Sequence, residues 1–166
     1  LEVAEGVGQF WEYSGRVLEK MKNNPEGKGW MYDMIAKNRV MPEVVTDNYL
    51  HSMMMAIMVA AHETTALASA NALKLLLAER KVWKKICDNP QLIPGAVEEC
   101  LRHSGSVVAW RRQVTTESEV SGVKFRKGDK LFLVSASANH DELHFENADE
   151  LDIYRDNAIE HLTFGY

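Results

Sequence analysis

Residues 53–65 read Met-Met-Met-Ala-Ile-Met-Val-Ala-Ala-His-Glu-Thr-Thr, and this stretch decides the fold. Apolar side chains cover nearly every helical face, and a polar cluster then stands where the helix is greasiest. No Pro or Gly occurs between Pro42 and Pro90. With Thr46 or Asp47 as N-cap, one helix can run to Glu79 or Arg80, roughly 50 Å at about 1.5 Å per residue. A helix apolar on all sides needs partners round most of its circumference. The rest of the chain offers too few elements, so the sequence reads as part of a larger domain.

Outward from that rod, Phe10, Val17, Leu18 and Met21 mark a helix over Val7–Met21, stopped at Asn23-Asn24-Pro25. A short helix follows over Trp30–Asn38. Beyond the rod come helices over Lys81–Asp88 and Pro94–His103, the latter with Pro in its first turn, where the missing N–H costs nothing. After Gly105 the period changes. Val120–Phe125 and Lys130–Val134 read as strands around a turn at Lys127-Gly128-Asp129, and 138–165 as an irregular polar meander. The expected class is mainly α with a small β-sheet.

The chain has 166 residues, 46% hydrophobic and 26% charged, a globular composition. Lys+Arg 19 against Asp+Glu 24 give a formal net charge of −5, which supplies no field for a nucleic acid. The uninterrupted apolar run Met53–Ala61 is too short to cross a bilayer, so no membrane partner and a cytoplasmic location are expected. Cys87 and Cys100 have neither disulfide-framework nor metal-ligand spacing.

The polar cluster His62-Glu63-Thr64-Thr65 has two readings. Buried without partners, its carboxylate would cost several kcal/mol or shift its pKa upward; on a solvated stripe it is ordinary. A zinc-protease pair is excluded, because Ala66 stands where the second His is required. In Glu98-Glu99-Cys100-Leu101-Arg102, both Glu98 and Glu99 lie within one helical turn of Arg102, and periodicity cannot choose between them. His140 and His144 have i,i+4 spacing, but their polar surroundings suggest a solvated turn.

Taken in order, these pieces resemble the cytochrome P450 family, its soluble bacterial members in particular. Ala60-Ala61-His62-Glu63-Thr64-Thr65 looks like the oxygen-binding signature, and Glu99-Cys100-Leu101-Arg102 like the Glu-x-x-Arg motif. Trp110–Thr115 is similar to the family's strand pattern, Ser137–Asp141 and Leu151–Arg155 to its meander, and His161–Gly165 to the entry into the cysteine loop. Ala61 departs from the usual Gly. The expected architecture is a partial cytochrome P450 fold over residues 1–166, with the iron-ligating Cys lying beyond residue 166 and no metal ligand in this chain.

The resemblance implies a haem-dependent monooxygenase using haem b (iron protoporphyrin IX). Glu63 and Thr64 would be catalytic, Thr64 hydrogen-bonding dioxygen and Glu63 relaying protons. Ala60, Ala61, Thr64, Arg112, Thr163, Phe164 and Gly165 would hold the haem, Arg112 pairing with a propionate. Ala56, Val59, Ala60 and Val108 would line the pocket for an apolar small-molecule substrate. Glu99, Arg102 and Arg155 would form a structural ion-pair triad. Electrons would come ultimately from NAD(P)H through a ferredoxin/reductase-type donor or a fused reductase. The alternative is a non-catalytic helical interaction module, or a degenerate relative without a haem site.

Overall fold

The computed structural model describes residues 2–24 and 26–165; Pro25, part of the expected stop of the first helix, and Tyr166 lie outside them. The structure is mainly helical, with two small antiparallel sheets. The chain divides into two compact units, 1–63 and 64–166, whose border falls inside the long helix.

The first unit holds α1 (Glu2–Lys22), α2 (Trp30–Val40) and the first half of α3 (Asp47–Ala78). Its core is Leu18, Met31, Ile35, Val45, Leu50 and Met54. Full burial of an aliphatic side chain such as Leu50 contributes about 1.5–3 kcal/mol. Thr46 is the residue that caps α3, its Oγ1 accepting the Tyr49 N–H at 3.1 Å. The side chain of His51 pins α3 to α1, with Nε2 2.8 Å from Ser14 Oγ and 2.8 Å from Trp11 O.

The second unit holds the rest of α3, α4 (Arg80–Asp88), α5 (Ile93–Ser104), strands β1 (Trp110–Gln113), β2 (Ser118–Val120), β3 (Val123–Phe125) and β4 (Lys130–Leu133), and the short α6 (Ser135–Ala138). A single 3₁₀ turn, Pro90–Leu92, joins α4 to α5, and Asn89 accepts the Gln91 N–H across it. Ile86, Ala96 and Ile153 form the core between α4, α5 and the meander.

Two expectations are corrected. Val120–Phe125 is not one strand: β2 and β3 pair antiparallel with Val120 opposite Val123. Ser121 (φ 49°) and Gly122 (φ 78°) turn the chain there, both at positive φ, as a right-twisted two-residue hairpin requires. The turn at 127–129 joins no paired strands, because β4 pairs with β1 instead, Arg112 opposite Leu131.

The second correction concerns α3. The run Met53–Ala61 is short, but the helix has 32 residues, and one 18-residue window reaches a mean hydropathy of 1.2. By length and composition alone, α3 is able to cross a bilayer. Only Leu50 and Met54 are buried along it, and Val59 (61%) and Leu73 (49%) stand open. The apolar circumference is largely uncovered, as its composition requires of a helix with too few neighbours.

Candidate functional site

The Glu-x-x-Arg segment of α5 carries the most buried charges among the described residues. Glu99 and Arg102 are 0% and 1% exposed. Arg102 Nε donates to Glu99 Oε2 at 2.8 Å and Nη2 to Oε1 at 2.9 Å, a two-pronged pair. The remaining N–H groups go to the carbonyls of Asn139, Ala148 and Glu150. All five guanidinium donors are thereby used.

Arg155 comes from the meander and donates Nε to the same carboxylate at 3.2 and 3.3 Å; the Asp152 amide donates to it at 2.9 Å. Burial alone would raise the Glu99 pKa. The hydrogen bonds from Arg102 and the Asp152 amide, with the charges of Arg102 and Arg155, outweigh it and hold the carboxyl below its ordinary 4.5. The structure thus brings Glu99, Arg102 and Arg155 together. Glu98, which periodicity could not separate from Glu99, turns to His161 instead, 3.1 Å from its Nε2.

The segment 161–165 is irregular but tied. Thr163 is 4% exposed; its hydroxyl donates to Leu101 O at 2.7 Å and accepts from Asn139 Nδ2 at 2.9 Å. That hydroxyl is spent inside the protein, while Phe164 (77% exposed) and Gly165 stand open beside two grooves. One groove, of about 310 Å³, runs between α3 and α5 and is lined by Thr64, Thr65, Ala68, Ser69, Ala72, Val97, Cys100, Leu101, Ser106 and Phe164. The other, of about 450 Å³, is lined by Trp110, Arg112, Leu133, Val134, Ser135, Ala138, Leu162 and Gly165.

These linings fit a flat apolar macrocycle with an acidic edge. Small side chains at 64, 68 and 72 follow one helical face and let a plane approach the backbone. Arg112 is the one cation lining the second groove and lies exposed beside Trp110, its guanidinium carbon 6.0 Å from the ring centre. Phe164 and Gly165, adjacent in the chain, each line one groove.

Cys100 also lines the first groove; burial, with the Glu99 charge, pushes its thiol up to about 11, the reverse of a metal-binding thiol. Cys87 is exposed on α4. No group of three or more His, Cys, Asp or Glu able to hold a metal occurs among the described residues. His140 Nδ1 lies 2.9 Å from Ala136 O, and His144 pairs with Glu160 at 2.8 Å.

In the first unit Ala56, Val59, Ala60, Ala61, His62 and Glu63 lie exposed on α3. Val108 of the second unit is 61% exposed; its carbonyl accepts from the Ser135 hydroxyl at 3.1 Å. Sequence reasoning missed Asn139, although the meander match contains it, and gave His161 no partner. Neither has a spacing signal for these partners, since Thr163 and Leu162 lie 24 and 23 residues from Asn139 and Glu98 lies 63 from His161.

A family model described as Cytochrome P450 matches residues 12–157. The chain is 99% identical to the Acinetobacter radioresistens CYP116B5 heme domain, whose crystal structure aligns with a TM-score of 0.89 over 100% of this chain and 40% of that one. An intact type IV self-sufficient cytochrome P450 monooxygenase is 61% identical, with a TM-score of 0.94 over 99% of this chain and 22% of that one. The 20-oxo-5-O-mycaminosyltylactone 23-monooxygenase of Streptomyces fradiae is 32% identical, aligned over 99% of this chain and 39% of its own length. The chain therefore spans about two fifths of that monooxygenase and of the heme domain.

Proposed function

Because the chain belongs to the cytochrome P450 family, we propose that the complete protein is a haem-dependent monooxygenase acting on an apolar organic substrate. The overall reaction inserts one oxygen atom of dioxygen into a C–H bond and reduces the other to water, consuming two electrons and two protons. Haem b, when bound, supplies the dioxygen chemistry. The observation that carries the reading is the arrangement in the second unit: Thr64 and Phe164 on one groove, Arg112 and Gly165 on the next.

Within it each residue has a distinct task. Arg112 offers a permanently charged planar donor to a propionate, for which a carboxylate is the natural partner. Ala60, Ala61 and Thr64 present small side chains to the ring. Thr64 holds a hydroxyl hydrogen at the site where oxygen is reduced, and Glu63, its chain neighbour, brings protons from solvent. The roles of Ala56, Val59, Ala60 and Val108 toward substrate rest on the family resemblance. The thiolate ligand to iron is neither Cys87 nor Cys100.

The electron donor is a reductase fused to the same chain, drawing on NAD(P)H. In support, the stretch matches 40% of a heme domain but only 22% of an intact self-sufficient enzyme, so the latter chain carries roughly as much protein again beyond its haem part. In this reading the rest of that haem domain, not lipid, covers the apolar circumference of α3, and the protein is cytoplasmic. A non-catalytic module is the weaker reading, since it leaves Arg112 and the small-residue face of α3 without a purpose.

The test is Thr64→Ala in the full-length enzyme. Cofactor oxidation continues while hydroxylated product falls and hydrogen peroxide accumulates; unchanged coupling refutes the role of Thr64. A wild-type protein with no haem-thiolate signature in its reduced carbon-monoxide spectrum defeats the whole reading.

A further inference from the structure

Residues 161–165 belong to no helix or strand after the short 3₁₀ turn at 158–160, yet Phe164 borders the first groove and Leu162 and Gly165 border the second. An irregular segment usually moves. This one is tied down, and a buried amide makes two of the bonds that hold it. Asn139, 2% exposed, accepts the Leu162 N–H on Oδ1 at 2.7 Å and donates from Nδ2 to Thr163 Oγ1 at 2.9 Å.

The direction of these bonds is forced. The Thr163 hydroxyl has one hydrogen and spends it on Leu101 O at 2.7 Å, so it must accept from Asn139. Turning the amide over would set its NH₂ against the Leu162 N–H and leave two donors facing each other. Asn139 is itself fixed, since its backbone carbonyl accepts from Arg102 Nη1 at 2.6 Å. At Gly105 a Cβ would come within 2.6 Å of the Thr163 methyl group, so the end of α5 and this threonine are packed with no slack. A further tether, from His161 Nε2 to Glu98, holds the start of the segment at 3.1 Å.

We propose that Asn139 is a positioning residue that, through Leu162 and Thr163, sets the path of Phe164 and Gly165 and thereby the seat of the cofactor. The inference rests on the haem reading given above. It extends the ion-pair network from a stabilising device to one that reaches the site: Glu99 orients Arg102, Arg102 fixes Asn139, and Asn139 fixes the segment. Partners one shell removed from a bound metal group typically change its affinity by about 10- to 100-fold when lost.

The experiment uses the full-length haem protein with Thr163→Val, Thr163→Ser and Glu98→Ala. The readouts are haem transfer to excess apomyoglobin, the haem midpoint potential, and thermal unfolding of the same preparations. Thr163→Val removes the hydroxyl at nearly constant shape, so haem transfer quickens by about 10- to 100-fold and the potential moves. Thr163→Ser restores the hydroxyl and returns both to wild type. Glu98→Ala, which cuts only the outer tether, moves both in the same direction by less.

A Thr163→Val protein that melts earlier but keeps the wild-type transfer rate and potential overturns the proposal, because the clamp would then be structural alone. Should Thr163→Val not fold, Asn139→Asp decides, since it keeps the acceptor for the Leu162 N–H and removes the donor to Thr163: unchanged transfer and potential overturn it equally. A wild-type protein that takes up no haem overturns the monooxygenase reading, and is seen before any substitution is made.

Discussion

Replacing Arg102 by lysine keeps the charge and removes the fork. The guanidinium makes five hydrogen bonds between 2.6 and 3.2 Å, two to Glu99 and one each to the carbonyls of Asn139, Ala148 and Glu150. An ammonium has three hydrogens, so at least two of these acceptors lose their donor. The side chain is 0% exposed, and water does not replace what is lost. At about 1–3 kcal/mol for each buried group left unpaired, Arg102→Lys destabilises the protein by about 2–6 kcal/mol. Total stabilities are about 5–15 kcal/mol, so the loss is a large share. Urea unfolding of the full-length protein, followed by circular dichroism, measures it as a shifted midpoint with unchanged slope. An exposed pair of the same length is the control: Lys84 and Asp88 meet at 2.8 Å with side chains 76% and 63% exposed. Lys84→Ala costs less than about 1 kcal/mol. An Arg102→Lys penalty below about 1 kcal/mol, equal to the control, would refute the claim that burial and donor count make this pair stabilising.

Two further outcomes follow from the same helix. The Glu99 carboxyl has a folded pKa below its ordinary 4.5, so its contribution is complete above that value and is lost as pH falls through the folded pKa. Stability measured by urea titration therefore falls on acidification below about pH 4.5, and Glu99→Gln, though less stable at neutral pH, loses part of that acid dependence. A slope identical in wild type and variant would remove Glu99 as its source. Cys100, its thiol pushed up to about 11 and 2% exposed, stays unmodified by a thiol reagent at pH 8 while the exposed Cys87 reacts. Thiol counting gives one reactive group per 166-residue chain and a second only in denaturant; two reactive groups in the native protein would contradict the burial.

The elements differ in how much of them local sequence settles. The rod α3 was legible because no Pro or Gly interrupts 43–89 and a threonine cap stands at its start, both local properties. Its uncovered circumference was legible because apolar residues lie on every side and the other elements are too few to cover them. The hairpin β2–β3 was not. Val120, Val123 and Phe125 suit one strand, and only the positive φ at Ser121 and Gly122 breaks them in two.

At the candidate site, the sequence by itself determined which residue types are available: a threonine beside an acid on a greasy helix, a glutamate three residues before an arginine, and an arginine near a short strand. Those are short-range facts, carried by helical spacing and chain order. The tertiary structure decided which of two adjacent glutamates is buried, because Arg155 and the Asp152 amide arrive from more than fifty residues away and meet only Glu99. It also decided that Thr163 turns inward and that Asn139 holds the segment beside it. A buried polar group is settled by whatever completes its hydrogen bonds, and those partners lie far off along the chain.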